Sequence, residues 1–145
     1  MKPRAFLAAR LAVLALLVAV AGCVSGGGAR RATLLDATLT RYAKMIRWGE
    51  FEEAARMIRF RDREPVTFDM HSLRGIRVTA YDTIENGVNA THDEARILAR
   101  ISYYDAGSGV VHTFEDAQTW WYEEASGLWW LDGVLPDFAG AAERR

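Results

Sequence analysis

Residues 95–104 restrict the fold more than any other stretch of the chain. Ala95, Ile97, Ala99, Ile101 and Tyr103 alternate with Arg96, Leu98, Arg100, Ser102 and Tyr104, and a period of two places the first set on one face of a β-strand. A half-buried strand of this kind needs neighbours in a sheet and an apolar layer over its inner face. Ile76, Val78 and Ala80, alternating with Arg77, Thr79 and Tyr81, make the strand before it. Val110 to Glu124 make a third and Leu128 to Asp132 a short fourth. Turns are expected at Asn86-Gly87, at Asp105 to Gly109 and at Ala125-Ser126-Gly127. Strands in series joined by short turns give an antiparallel sheet.

The covering layer comes from upstream. Leu35, Leu39, Tyr42 and Ile46 recur at helical spacing, and Thr33 with Asp36 has the pattern of a capping box in acidic form, so a helix is predicted over 33–48. Gly49 supplies the left-handed stop, and Glu50, Glu52 and Glu53 favour the start of a second helix through its dipole. Phe51, Ala54, Ala55 and Ile58 form its buried face, with Arg56 and Arg59 at its end; Arg61 to Glu64, before Pro65, reads as an exposed connection. Helices followed by strands indicate an α+β domain.

Ahead of this domain, Lys2 and Arg4 precede an apolar stretch, Leu11 to Ala21, that is short for a bilayer span, and Arg10 interrupts any longer run. Val20-Ala21-Gly22-Cys23 resembles the lipobox of bacterial lipoproteins, in which the bond before the cysteine is cut and its thiol takes a diacylglyceryl group. The resemblance implies a signal peptide over 1–22 and a lipidated Cys23 with a flexible glycine-rich tether over 23–32. The folded domain then spans 33–138, with a disordered tail over 139–145. It also implies attachment to the cell envelope, and Val24, where an inner-membrane retention signal would carry aspartate, resembles the outer-membrane pattern facing the periplasm. Several acyl chains, at about 0.8 kcal/mol per buried methylene, would hold the protein stably. Arg30-Arg31 is a solvated part of the tether or a contact to anionic headgroups.

The whole chain has a formal charge of −1, and loss of Lys2, Arg4 and Arg10 with the signal leaves a mature form at −4. Residues 30–64 carry nine basic side chains against six acidic, and residues 65–145 carry six against thirteen. The aromatics lie mostly in the acidic half, so no nucleic-acid partner is expected. Cys23 is the single cysteine; with its thiol acylated, no disulfide or cysteine nucleophile is available.

The Trp48-Gly49-Glu50-Phe51-Glu52-Glu53-Ala54-Ala55 junction, and the run from Gln118 through Trp120-Trp121-Tyr122 to Trp129-Trp130-Leu131, resemble the nuclear transport factor 2-like superfamily over about residues 33–138. That resemblance implies a cone, with N-terminal helices packed on a strongly curved antiparallel sheet of four or more strands. The short segment before Ile76 and the missing third helix depart from its enzymes. Because the superfamily includes isomerases, dehydratases, cyclases, transport adaptors, immunity proteins and many secreted domains without known activity, it leaves the chemistry open.

Candidate reactive residues are few. His71, His92 and His112 are the only histidines and none has metal-ligand spacing, so no metal and no cofactor is expected. Asp69-x-His71 would let a carboxylate orient an imidazole on an extended segment, although a polar surface loop is the plainer reading. On a regular third strand His112 shares a face with Val110, Phe114, Asp116, Gln118, Trp120 and Tyr122. A bulge near Glu115-Asp116, which would switch the inward side, is the favoured account of that mixed face. Trp120-Trp121 and Trp129-Trp130 place indoles on both sides of the last hairpin; one set is core, and the other, with Tyr122, is the candidate surface for an apolar ligand, a sugar ring or a homodimer contact.

The leading expectation is a lipid-anchored, non-catalytic envelope module that binds a protein or a small apolar or glycan ligand. The alternative is a cone-pocket enzyme of isomerase or dehydratase type acting on a small hydrophobic substrate, with Asp69, His71, Asp82, His112 or Asp116 as acid or base.

Overall fold

The computed structural model describes residues 27–143. Its first element, α1, is helical over residues 27–48. Leu35, Tyr42, Met45 and Ile46 are its buried residues, close to the predicted stripe. The helix is already formed at residue 27, however, so residues 27–32, expected in the tether, belong to it. Thr33 therefore caps nothing: its hydroxyl donates to the Ala29 carbonyl one turn back, at 3.1 Å. The C-terminus forms as predicted. Gly49 takes φ +73°, its N–H reaches the Ile46 carbonyl at 3.2 Å, and the Glu50 N–H reaches the Met45 carbonyl at 2.8 Å. These are the paired bonds of a Schellman cap, which needs a residue free to adopt the left-handed conformation.

Helix α2, Phe51–Ala55, is shorter than expected. Its intended continuation turns outward to use the free edge of the sheet. Leu131 donates to the Met57 carbonyl and Arg59 donates to the Leu131 carbonyl, both at 2.9 Å, which makes Ile58 and Leu131 a parallel bridge.

The sheet is four-stranded and antiparallel in the order β1 (Ile76–Val88), β2 (Glu94–Asp105), β3 (Val111–Glu123), β4 (Leu128–Leu131). The α+β expectation holds; the strong curvature does not, and the sheet is open rather than curled into a cone. The register gives a physical reason. The β2–β3 ladder runs unbroken from Glu94↔Trp121 to Tyr104↔Val111, and the irregularities lie only in β1, between Val78 and Ala80 and between Thr83 and Glu85. Bulges bend strands, and here they act on the edge strand while the centre stays regular. The bulge expected at Glu115-Asp116 is absent for the same reason.

Asn86-Gly87 is not a turn: both residues are in β1, opposite Ile97 and Arg96. The chain reverses at Asn89 to Asp93. The Asn89 side-chain carbonyl accepts the N–H groups of Asp93 and Glu94 at 3.0 and 3.1 Å, and its amide donates to the Asp93 carboxylate at 2.6 Å. Hydrogen bonds from Thr91 and then Asn89 hold that carboxyl below its ordinary pKa.

The core lies between α1 and the inner sheet face, where Ala95, Ile97, Ala99, Ile101 and Tyr103 are all buried as the alternation requires. Burying one side chain the size of Ile101 contributes roughly 1.5–3 kcal/mol. The expected C-terminal tail is partly ordered: α3, Phe138–Glu143, inserts Phe138 between Phe51, Tyr103 and Phe114, and the Tyr103 hydroxyl donates to the Phe138 carbonyl. Among the described residues no helix is long and apolar enough to cross a membrane. The signal peptide, the lipobox and Cys23 lie outside the described residues.

Candidate functional site

Among the described residues, two places with polar side chains in concave or buried surroundings bear most on function. The first follows from the regular register of β3, which turns His112, Phe114, Asp116, Gln118, Trp120 and Tyr122 toward the inner side without a switch. Gln118 organises this row. Its amide donates to the Asp116 carboxylate at 2.7 Å and to the Tyr81 hydroxyl at 2.9 Å, and its carbonyl accepts the Trp120 indole N–H at 3.0 Å. Burial raises the Asp116 pKa against the lowering effect of the Gln118 bond. Tyr42 meets Trp120 edge-on at 5.2 Å, and its buried hydroxyl has no hydrogen-bond partner among the described residues. Burial first, and then the charge of Asp116, push that phenol above its ordinary pKa; burial does the same to Tyr81.

This cluster lets one carboxyl hold its proton more firmly. It contains no histidine or lysine to complete an acid–base pair, because His112 lies flat against the Tyr103 ring, with centroids 5.3 Å apart and planes 25° apart. The other candidate acids and bases are not brought to it. Asp69 accepts the backbone N–H of His71 at 3.0 Å, so the pair closes an exposed turn, and no carboxylate–imidazole bond forms. Asp82 is exposed on β1 opposite Arg100, and His92 sits in the first hairpin turn at φ 54°.

The tryptophans divide as expected, with Trp120 and Trp129 buried in the core. The outer pair is covered by the chain's own guanidinium groups, Arg59 over Trp130 at 5.5 Å and Arg61 over Trp121 at 5.4 Å, and on the inner side Arg31 lies over Tyr122 at 4.9 Å. Arg31 also pairs with Glu124, and its carbonyl accepts the Trp129 indole N–H at 3.0 Å, so it is part of the fold rather than a tether charge. The rest of the outer face is a polar ladder, with Arg100 on Glu115 and Ser102 on Thr113, both at 2.9 Å.

The second place is a groove of about 590 Å³ where the C-terminus of α1 meets the start of β1. Phe51, Met70, Leu73, Ile76 and Val78 supply its apolar wall, and Trp48, 71 % exposed, stands at its rim. Arg47, Arg74 and Arg77 line it against a single acid, Glu52. None of these arginines has a carboxylate partner among the described residues, whereas Arg31, Arg56, Arg59, Arg61, Arg96 and Arg100 all do. Arg77 is held in place by donating to the carbonyls of Arg74 and Ile76, at 2.9 and 3.0 Å, which satisfies hydrogen bonds without neutralising charge. A second hollow of about 500 Å³, beside Phe60 and Phe68, is also arginine-lined, but there Arg56 and Arg59 are paired with Glu53 and Glu123.

Sequence reasoning missed the groove because Arg47, at the end of α1, is far in the chain from Arg74 and Arg77 and meets them only where the end of α1 comes up against the start of β1. Trp48 directly after Arg47, just before the stop at Gly49, was the one local signal. Among the described residues no set of three or more His, Cys, Asp or Glu side chains is placed to hold a metal ion. No protein-family model matches the chain, and no curated protein or solved structure matches it.

Proposed function

We propose that this protein is a cell-envelope lipoprotein, anchored through Cys23 in the outer membrane and facing the periplasm, that binds a partner without catalysis through the groove at the far end of α1. The observation that carries the reading is the position of that groove. Cys23 precedes the described start of α1 by only a few residues, and α1 runs from residue 27 to Trp48, about 30 Å at 1.5 Å per residue. An anchor at one end and an exposed indole with three uncompensated arginines at the other would present the binding surface away from the bilayer. Helices followed by a four-stranded antiparallel sheet support kinship with the nuclear transport factor 2-like superfamily, while the open sheet departs from its cone.

The decisive measurement is mass spectrometry and membrane fractionation of wild type beside Cys23→Ala. The expected result is a diacylglyceryl mass on the wild-type cysteine, and an unlipidated precursor or soluble species for the variant. Membrane retention of Cys23→Ala equal to wild type, with no lipid mass on wild type, would overturn the anchor.

A second reading, acid–base catalysis at Asp116, is favoured by one observation, the raised pKa of a carboxyl beside the Tyr42 and Tyr81 phenols. It is the weaker proposal, because the Asp116 carboxylate already accepts from Gln118, which Trp120 and Tyr81 hold in place.

A further inference from the structure

We infer that the groove takes a linear acidic segment of a partner protein, one that places carboxylates on Arg47, Arg74 and Arg77 and an apolar side chain against Trp48, Met70 and Leu73. The inference rests on the proposed binding role and specifies its ligand. Charge is the first argument. Six of the twelve described arginines pair with the chain's own carboxylates, and of the six that do not, three, Arg47, Arg74 and Arg77, line this one groove. Arginine forks match carboxylates bidentately, and Arg77 is pre-oriented by two backbone carbonyls. Its remaining N–H groups are available without further ordering of the side chain.

Shape is the second argument. The groove runs along an edge strand and its rim indole is largely exposed, so it suits a segment lying across it better than an enclosed small molecule. Tryptophan and arginine are the side chains that most often dominate such contacts. The segment does not add to the sheet at Ile76, because the Ile76 N–H donates to the Leu73 carbonyl at 3.1 Å and its carbonyl accepts from Arg77. Recognition is therefore by side chains, and its electrostatic part is sensitive to salt.

The test uses the full chain purified in detergent and fluorescence anisotropy of a labelled, blocked peptide of about twelve residues alternating glutamate with leucine. Its glutamine counterpart, and octanoate as a small amphipathic carboxylate, serve as comparisons. The acidic peptide is expected to bind at least about ten-fold more tightly than the glutamine peptide, and to weaken several-fold between about 50 and 300 mM salt. Arg47→Gln with Arg74→Gln should remove that preference, and Trp48→Ala should weaken both peptides. Arg96→Gln, a charge change on the outer sheet face, should alter neither. The exposed positions of Arg47, Trp48 and Arg74 keep folding out of the comparison, which circular dichroism checks. Equal binding of the glutamine peptide, octanoate binding as tightly as the peptide, or no binding at all would each overturn the inference. The lipid on Cys23 is read separately by mass, so failure here is distinguishable from failure of the anchored-module reading.

Discussion

The Gln118 side-chain amide donates to the Asp116 carboxylate at 2.7 Å in an inward-facing row of β3, and among the described residues Asp116 has no ion-pair partner. That bond lowers the carboxyl pKa, but burial raises it by more. Because the folded-state pKa lies above the unfolded one, the stability linked to this group is fully present below the unfolded pKa and is lost as pH rises through the folded value. Asp116→Asn keeps an oxygen for Gln118 and removes the charge. The variant is therefore expected to be the more stable of the two at neutral pH, with the difference closing as the medium is acidified through the carboxyl range. Urea midpoints of both proteins across that range measure it; a difference that stays flat with pH would remove the buried-carboxylate account.

Asn89, rather than Asn86, holds the first hairpin. Three hydrogen bonds from the Asn89 side chain organise the turn at Asp93 and Glu94, while Asn86 is an exposed mid-strand residue opposite Ile97. Asn89→Ala is expected to cost about 1–2 kcal/mol, the range for losing side-chain bonds to turn or cap N–H groups. Asn86→Ala should fall within roughly 0.5 kcal/mol of wild type, as exposed substitutions do. Denaturant unfolding of the two variants side by side decides which asparagine makes the turn.

That contrast shows what the sequence made legible. The alternation from Ala95 to Tyr103 was enough to orient β2, and Gly49 was enough to end α1, because each depends on residues adjacent in the chain. Asn86-Gly87 is a strong local turn signal that lost to the ladder: its partners Ile97 and Arg96 belong to a strand long enough to extend β1 beyond it. The inward polar row was half visible, since Asp116, Gln118 and Trp120 share a parity. Whether a bulge broke that parity depended on pairing with β2. The arginine covers on Trp121, Trp130 and Tyr122 were not legible, because Arg59, Arg61 and Arg31 come from segments far from β3 and β4 in the chain. The same separation hid Arg47 from Arg74 and Arg77.

The arginine covers carry a prediction of their own. Arg59 lies over the Trp130 ring at 5.5 Å, and its carbonyl accepts the Trp121 indole N–H at 2.9 Å. The segment that leaves α2 is thereby fastened to the outer face of the last hairpin as well as to its edge at Leu131. Replacing the guanidinium by a side chain of similar apolar stem, Arg59→Met, removes the cation–π contact together with the ion pair to Glu123, and leaves the backbone acceptor in place; the ion-pair loss is common to both backgrounds of a cycle with Trp130. A double-mutant cycle of Arg59→Met with Trp130→Leu is expected to give a coupling of about 0.5–1 kcal/mol, the range for such contacts at partly exposed sites. Chemical denaturation of the four proteins measures it. A coupling indistinguishable from zero would mean that the backbone bonds at Met57 and Arg59 hold the segment alone, and would leave Trp130 free to serve as a ligand surface.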